Sequence, residues 1–242
     1  MDELYPKNGG KSTFLIIIVV LKQQEVIFWL NTCMNKIDST ELLNWFSAIR
    51  NLPDHTQRTR MLDSLWSGQL NSKLWVVQQL EEILMGPTNV YIFGGWTGIL
   101  SNLLFQSKAL NIKKIRSIDL DPWCEKVADD VNLTHVIDSW RFKAITGDMS
   151  KYDYEWGMFP DLVINTSTEH VSQDIYEEWY SKIPKGTTIV AQGNDFFSCD
   201  EHIRCTQSLD EFMHINLVKE EIFAGSLETD MYTRFMCIWR KT

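Results

Sequence analysis

Residues 38–53 carry an apolar face at helical spacing. The polar residues 38–41 before this face are typical of a helix capping box. The face is predicted to consist of Leu42, Leu43, Trp45, Phe46 and Ile49. The same pattern predicts three helices, at about residues 38–53, 59–66 and 72–85. Because a glycine and a proline follow the third helix, the sequence predicts a small helical cap over residues 35–87.

After residue 88 the pattern changes to short apolar runs separated by helical stretches. The predicted strands cover residues 89–93, 115–120, 142–145, 161–164 and 187–191. Strands that alternate with helices at this spacing predict a parallel sheet with crossover helices. Two further runs, at residues 218–224 and 232–239, are joined by a short polar loop and predict an antiparallel hairpin. Residues 88–242 are therefore expected to form one α/β domain.

The first 34 residues fit neither pattern, and we expect them to form an extension whose structure is in doubt. Their apolar run at residues 14–21 is far shorter than the roughly 20 residues of a membrane-spanning helix. The run also lacks the basic leader and the cleavage site of a signal peptide. A β-hairpin or an interfacial segment is one interpretation of this run. Our preferred hypothesis is that residues 1–33 are an accidental upstream extension that does not belong to the native protein, because a well-formed helix start follows Met34. Peptides from this segment in a mass spectrum of the native protein would refute it.

Composition and charge narrow the choice of partners. The formal net charge is -9 and no run of basic residues occurs, which argues against a nonspecific grip on nucleic acid. The five cysteines are widely spaced and include no Cys-x-x-Cys pair, as expected for reduced thiols in a cytoplasmic protein. We therefore expect a cytoplasmic protein with no membrane part that acts on a small molecule or a peptide.

A glycine-rich turn separates the first predicted strand from the next helix. It comprises Gly94, Gly95, Trp96, Thr97 and Gly98. Glycine permits a tight turn and close approach of a ligand, and the free amides of a helix N-terminus suit a carboxylate or a phosphate. Such a turn alone is weak evidence, because many of them only join a strand to a helix.

Acidic residues end the next two predicted strands. Asp119 lies about 20 positions after Gly98, where an acidic side chain can bind both hydroxyls of a ribose. Asp121 is expected to cap the helix that follows. After the third strand, Asp148 offers a carboxylate to an adenine amine and Met149 can pack on the ring, although this segment is also typical of a plain turn.

This succession of features resembles the class I S-adenosylmethionine-dependent methyltransferases over roughly residues 88–242. The resemblance rests on the strand and glycine turn, the acidic second strand, the Gly-Asp after the third strand and the terminal hairpin. It implies a Rossmann-like class I methyltransferase fold, a mostly parallel seven-stranded sheet with a C-terminal antiparallel hairpin, preceded here by the helical cap.

The resemblance also implies a cofactor, S-adenosyl-L-methionine. The cofactor-binding residues would be Gly94, Gly95, Trp96, Gly98, Asp119, Asp148, Met149 and Asn165. The glycines are spaced differently from the usual family pattern, and Tyr91 or Phe93 stands where the family often has an acid. The partner of the methionine amino group is therefore left unassigned.

The segment after the fourth predicted strand, residues 165–170, faces the transferable methyl group in the resembling family. Glu169 and His170 would then deprotonate or orient the methyl acceptor. Residues 166–169 also match a capping box for the following helix, so the catalytic and capping interpretations both stay open. The segment differs from the Asn-Pro-Pro-Tyr motif of amino-methylating DNA enzymes, which again argues against a nucleic-acid substrate.

The loop after the fifth predicted strand supplies a third catalytic candidate, His202. Cys199 and Cys205 flank it at equal spacing, but zinc prefers four ligands and the sequence offers no second pair, so we expect no metal. In the cap, the candidates for a lid over the cofactor are Ser67, Gly68, Gln69 and Lys73; a simple helix–helix turn is the alternative.

The function expected from the sequence is methyl transfer from S-adenosylmethionine to an oxygen or nitrogen of a small molecule or peptide. One alternative is aminocarboxypropyl transfer from the same cofactor, which would release methylthioadenosine. Another is a non-catalytic nucleoside-binding module that acts through partners. A nicotinamide-dependent oxidoreductase is the last alternative, and the terminal hairpin argues against it. The methyl acceptor and the oligomeric state do not follow from the sequence.

Overall fold

The computed structural model describes residues 38–154 and 158–242, and residues 39–242 form one compact unit. Its α-helices are α1 (Ser39–Asn51), α2 (His55–Asp63), α3 (Ser67–Ile83), α4 (Ile99–Gln106), α5 (Pro122–Val131), α6 (Leu133–Ile137), α7 (Gln173–Lys182) and α8 (Leu209–Ile215). Its strands are β1 (Pro87–Phe93), β2 (Asn111–Asp119), β3 (Phe142–Thr146), β4 (Leu162–Asn165), β5 (Thr188–Asn194), β6 (Glu220–Glu228) and β7 (Thr233–Arg240). The predicted N-terminal extension, residues 1–34, lies outside the described residues.

The strands form one seven-stranded sheet in the order β3-β2-β1-β4-β5-β7-β6. The first five are parallel, while β7 pairs antiparallel with both β5 and β6. The predicted fold, with its parallel sheet and terminal hairpin, is confirmed. The chain reverses its direction of travel across the sheet between β1 and β4, and ligands of such sheets bind beyond the carboxyl ends of the strands at that point.

Both faces of the sheet are covered by buried apolar side chains. Successive side chains of a strand point to opposite faces, so each strand contributes to both clusters. In β1, Val90 and Ile92 belong to one apolar cluster, and Tyr91 and Phe93 belong to the cluster on the opposite face. The second cluster also contains the buried rings of α7. Four consecutive buried positions in β1 are the reason this strand reads as a continuous apolar run in the sequence.

The cap helices pack on the first of these two faces. Trp45 of α1 lies in that cluster and donates its indole hydrogen to Asn102 Oδ1 at 3.0 Å. Glu41, the glutamate of the predicted capping box, is buried and accepts from Asn102 Nδ2 at 2.6 Å. The cap helices and the sheet therefore share one core, and a domain boundary near residue 87 stays a prediction.

Several elements are longer than the sequence predicts, and two of them border the cleft described below. Helix α3 begins at Ser67 rather than near residue 72, so Gly68 lies in its first turn. Strand β5 continues to Asn194 because its antiparallel pairing with β7 extends to Asn194 opposite Arg234. Residues 192–194, predicted to lie in a loop, are therefore buried in the sheet at the edge of the cleft described below.

The start of α4 depends on a glycine. Gly98 has φ +74°, and a Cβ there would lie 2.6 Å from Asn132 Nδ2 and 2.9 Å from Ala128 Cβ. We expect Gly98→Ala to lower the free energy of unfolding by about 1–3 kcal/mol, through left-handed strain and overpacking. Chemical denaturation measures the loss. Gly86→Ala is the control, since a Cβ there meets nothing within 4 Å, and an equal loss in both variants would contradict the steric explanation.

Within the described residues, no helix is both long enough and apolar enough to cross a membrane.

Candidate active site

A cleft of about 860 Å³ opens at the carboxyl ends of the parallel strands. It gathers nine residues that the sequence predicts for the site: Gly94, Gly95, Trp96, Asp119, Asp148, Met149, Asn165, Glu169 and His170. Its volume lies in the range of about 300–1,000 Å³ that is usual for small-molecule sites. The convergence follows from topology, because the ends of β1, β2, β3 and β4 meet at one edge of the sheet.

The glycine turn after β1 has an unusual backbone. Gly94 has φ +65°, and Trp96 has φ +48°, a conformation that bulky side chains rarely adopt. Gly95 lies so close to β2 that a Cβ there would approach Ser117 Oγ to 1.9 Å. A strained non-glycine residue that lines a cleft is typical of functional sites. This backbone conformation places Gly94, Gly95 and Trp96 in the wall of the cleft.

Asp119 is fixed by two backbone amides. The amide of Trp96 donates to Asp119 Oδ2 at 2.9 Å, and the amide of Asp121 donates to Asp119 Oδ1 at 3.0 Å. A carboxylate oxygen can accept more than one hydrogen bond, so each oxygen retains acceptor capacity. Because Asp119 also lines the cleft, its geometry suits a pair of neighbouring hydroxyls.

Asp121 has the separate role that the sequence predicts for it. Its side chain accepts from the amide of Trp123 and so caps α5. It also forms an ion pair with Arg60, a residue of the cleft lining. Asp119 therefore lines the cleft, whereas Asp121 caps α5 and pairs with Arg60.

Asp148 combines a turn with a place in the cleft. Its Oδ1 accepts from the amide of Ser150 at 2.9 Å, and Lys151 Nζ lies 3.2 Å from Oδ2. Its hydrogen bonds with Ser150, together with the Lys151 charge, hold the pKa of the Asp148 carboxyl below its ordinary value. Beside it, Asn165 Nδ2 lies 3.9 Å from Met149 Sδ, so these two lining residues are in contact. These side chains form a wall with apolar and hydrogen-bonding parts.

Gly98 lies outside this lining in the described part of the chain. Its carbonyl accepts from Asn132 Nδ2 at 3.0 Å, and its position at the start of α4 packs that helix against α5. Gly98, predicted to bind the cofactor, therefore caps the start of α4 and does not line the cleft.

Glu169 is buried, with an exposed fraction of 2%, and forms an ion pair. Its Oε1 accepts from Asn194 Nδ2 at 2.7 Å and from Arg234 Nη1 at 2.9 Å. The capping interpretation of residues 166–169 is wrong, because Glu169 bonds to β5 and β7 and α7 begins later, at Gln173. The two strands reach Glu169 because Asn194 and Arg234 are paired neighbours in the sheet.

The two histidines predicted for catalysis are adjacent. The rings of His170 and His202 lie 4.7 Å apart, edge to face, and His170 lines the cleft while His202 stands behind it. His202 Nδ1 lies 3.3 Å from the carbonyl oxygen of Phe196. Burial, opposed by the charge of Glu169, lowers the pKa of His202 from its ordinary value. The loop after β5 returns to the cleft through Glu201 and Ile203, which line it, whereas His202, predicted to face the cleft, lies outside the lining.

The cap contributes Lys73 to the cleft wall. Lys73 Nζ donates to Gln69 Oε1 at 2.8 Å and lies 5.8 Å from the centre of the Trp96 ring. Burial, together with the positive charge of Arg234, lowers the pKa of Lys73 to about 7. Of the predicted lid residues, Gln69 and Lys73 line the cleft as part of a continuous helix, whereas Ser67 and Gly68 form the first turn of that helix outside the lining.

Sequence reasoning missed Arg234. Arg234 lines the cleft and is buried in β7, where burial lowers its pKa but the ion pair with Glu169 outweighs that effect and leaves the pKa raised. The available signal was an arginine beside an otherwise apolar run, because a charged residue in a buried strand needs a partner.

No protein-family model matches this sequence, and no curated protein matches it. Solved structures match the fold. The N-methyltransferase NodS from Bradyrhizobium japonicum WM9, in complex with S-adenosyl-L-homocysteine, aligns with a TM-score of 0.58 and 10% identity, over 82% of this chain and 98% of NodS. Magnesium protoporphyrin IX methyltransferase (ChlM) from Synechocystis PCC 6803, with bound SAM, aligns with a TM-score of 0.55 and 13% identity, over 86% of this chain and 94% of ChlM.

These alignments span nearly the whole of both methyltransferases and most of this chain. At identities of 10–13%, these structural alignments establish a shared architecture only. The chemistry has to be argued from the residues of the cleft. The fold of this chain is the class I methyltransferase fold.

Proposed function

We propose that this chain binds S-adenosylmethionine and transfers its methyl group to an oxygen or nitrogen of a small molecule or peptide. The observation that carries the proposal is Asp119, a carboxylate at the end of β2 that two backbone amides orient into the cleft. An acid in this place binds the hydroxyls of a ribose in nucleoside-cofactor folds. The structures of NodS and ChlM contain S-adenosyl-L-homocysteine and SAM, respectively, which supports the choice of cofactor.

The cleft residues fit the parts of this cofactor. Asp119 would accept from the two ribose hydroxyls, and the adjoining turn at Gly94 and Gly95 would lie against the methionine end. Met149 and Asn165 would contact the adenine, with Asp148 accepting from its amine. These roles follow the order of the strands, because β1, β2 and β3 are neighbours in the sheet.

Lys73 extends this assignment to the methionine carboxylate. The usual acid at the end of β1 is replaced by Phe93, which is buried in the core, so the methionine end must be held by other groups. Lys73 lies in the cleft near the Trp96 ring and is bonded to Gln69. An ammonium group there would pair with a carboxylate, and burial would strengthen the pair.

The methyl acceptor would lie against Glu169 and His170, with His202 in contact with the His170 ring. Methyl transfer requires the acceptor atom in line with the sulfonium, and a group that takes the acceptor's proton. His170 is exposed at the cleft and is the group of the three placed to touch the acceptor. The acceptor's electron pair forms the new bond to carbon, the carbon–sulfur bond breaks, and sulfur retains that electron pair as a thioether.

Turnover with methyl-labelled S-adenosylmethionine and a fractionated small-molecule extract tests the proposal. Methyl transfer predicts S-adenosylhomocysteine and label in an acceptor. Methylthioadenosine as the product would contradict it in favour of aminocarboxypropyl transfer. Binding without any turnover, across extract and peptide fractions, would contradict it in favour of a nucleoside-binding module.

We expect cofactor binding to take up about one proton at pH 8 and almost none at pH 6. Lys73 has a pKa of about 7, so it is mostly neutral at pH 8, and a bound carboxylate favours its charged form. Calorimetric titration with S-adenosylhomocysteine, in two buffers of different ionisation enthalpy, measures the uptake.

The matched variants are Lys73→Met and Lys108→Met, the latter at an exposed position outside the cleft. Lys73→Met should lose the proton uptake and weaken binding by about tenfold, the effect of one charge-assisted hydrogen bond. Lys108→Met should change neither. Unchanged proton uptake in Lys73→Met would assign the proton to another group and contradict the role of Lys73.

A further inference from the structure

Three side chains with metal-binding atoms converge beside the cleft: Glu169, His170 and His202. One donor atom from each lies within 4.8 Å of the other two. The histidines come from two different loops, after β4 and after β5, so the grouping is a product of the fold. The sequence offered His202 only with Cys199 and Cys205, and on that spacing we expected no metal.

The free oxygen of Glu169 is the feature that ordinary packing leaves unexplained. Oε1 has two donors, from Asn194 and Arg234, whereas Oε2 is buried and has no hydrogen-bond partner among the described residues. A buried carboxylate oxygen without a partner costs about 1–3 kcal/mol or more, so native structures rarely leave one unsatisfied. A cation at Oε2 would supply the missing partner.

The surroundings of the two other groups suit metal binding. His202 Nδ1 faces the carbonyl of Phe196 at 3.3 Å, which favours a proton on Nδ1 and a free lone pair on Nε2. Metal-binding histidines commonly make this contact, and metal-binding carboxylates are commonly hydrogen-bonded at their other oxygen, as Oε1 is here. Arg234 bonds to Oε1 of Glu169. The carboxylate group therefore stands between the positive charge of Arg234 and a cation bound at Oε2.

We propose that Glu169, His170 and His202 bind one divalent first-row transition-metal ion, such as Zn²⁺, Fe²⁺ or Mn²⁺, next to the methyl acceptor. Two imidazoles and one carboxylate are the donors that such ions select, and three protein ligands leave positions open for a further ligand. Metal binding stands on the geometry of the three side chains and does not depend on the proposed function.

The role of the ion rests on the proposed methyl transfer. With the ion bound, His170 is a ligand and does not take the acceptor's proton. An acceptor hydroxyl at an open position would release that proton to solvent, because a bound cation lowers the pKa of its ligand. The resulting oxyanion would attack the methyl carbon, the carbon–sulfur bond would break, and sulfur would keep the electron pair. The metal retains its oxidation state throughout, so no further reactant is needed.

Titration of the tag-free, chelator-treated full chain with Zn²⁺ tests the site without cofactor or substrate. We expect one Zn²⁺ per chain, and we expect Co²⁺ at the same site to give absorption bands of a protein-bound ion. His170→Ala and His202→Ala should each weaken Zn²⁺ binding by more than about tenfold. His55→Ala is the control, since His55 begins α2 and lies outside the three-residue group.

Glu169→Gln is a weaker choice of variant, because it also breaks a buried ion pair. Absence of stoichiometric Zn²⁺ binding to the wild-type chain would overturn the site, as would equal weakening in His55→Ala and His202→Ala. S-adenosylhomocysteine binding is measured separately on metal-free protein. Cofactor binding without Zn²⁺ binding would refute the metal site alone, and the reverse result would refute the proposed function alone.

Discussion

Replacement of Asp119 by alanine is expected to lower the affinity for S-adenosylhomocysteine by at least about 100-fold. The proposed ribose site depends on two hydrogen bonds to this one carboxylate, and each bond to a charged group contributes about 1.5–3 kcal/mol. The variant also removes the acceptor for the amides of Trp96 and Asp121, so the turn loses its anchor. Isothermal titration measures the affinity, and circular dichroism verifies that the variant is folded.

Asp121→Ala is the matched control for this experiment. Asp121 is two residues away, is also acidic, and interacts with the terminus of α5 and with Arg60. Its removal should cost about 1 kcal/mol of stability through the lost cap, while ligand affinity changes little. Wild-type affinity in Asp119→Ala, or an equal loss in both variants, would show that the cofactor's ribose does not bind at Asp119.

Replacement of Arg234 by methionine is expected to lower the free energy of unfolding by about 3–5 kcal/mol. Both members of the pair with Glu169 are buried, so the variant leaves a carboxylate inside the protein without its counter-charge. Asn194 alone would remain as the donor to Oε1. Urea denaturation, followed by circular dichroism, measures the change in unfolding free energy.

Arg240→Met on the same strand is the control, because Arg240 is exposed and its change should stay within about 0.5 kcal/mol. Replacing Glu169 by leucine together with Arg234→Met should recover much of the loss, since both buried charges are then removed. If Arg234→Met proves as mild as Arg240→Met, or if the double variant is less stable than the single one, the ion pair does not hold the loop after β4.

The architecture could be predicted from sequence because its signals are local. Each parallel strand is short, apolar and bounded by a turn, and Gly94, Asp119 and Asp148 follow successive strands at positions that a parallel sheet must bring together. The antiparallel hairpin was predicted from two strand-like runs and the polar loop between them. The bounds of β5 could not be predicted, since the extra residues depend on the pairing partner, β7.

The part of the cleft around Glu169 depends on contacts between distant parts of the chain, which the sequence does not reveal. Glu169 matches a capping box locally, and only the pairing of Asn194 with Arg234 brings its true partners to it. The sequence predicts Lys73 as part of a lid, but its lowered pKa arises from burial in the folded chain and from the charge of Arg234, which is distant in sequence. Local patterns therefore predicted which residues at the ends of β1, β2 and β3 line the cleft, and they left the polar partners of Glu169 open.

Calorimetric titration of the wild-type chain with S-adenosylhomocysteine tests the central claim most directly. The account predicts one site per chain, and a rise in thermal stability equivalent to about 2.7 kcal/mol when the free ligand is at 100 times its dissociation constant. Absence of both binding heat and thermal shift at millimolar ligand would contradict it. Tighter binding of a nicotinamide dinucleotide than of S-adenosylhomocysteine would also contradict it.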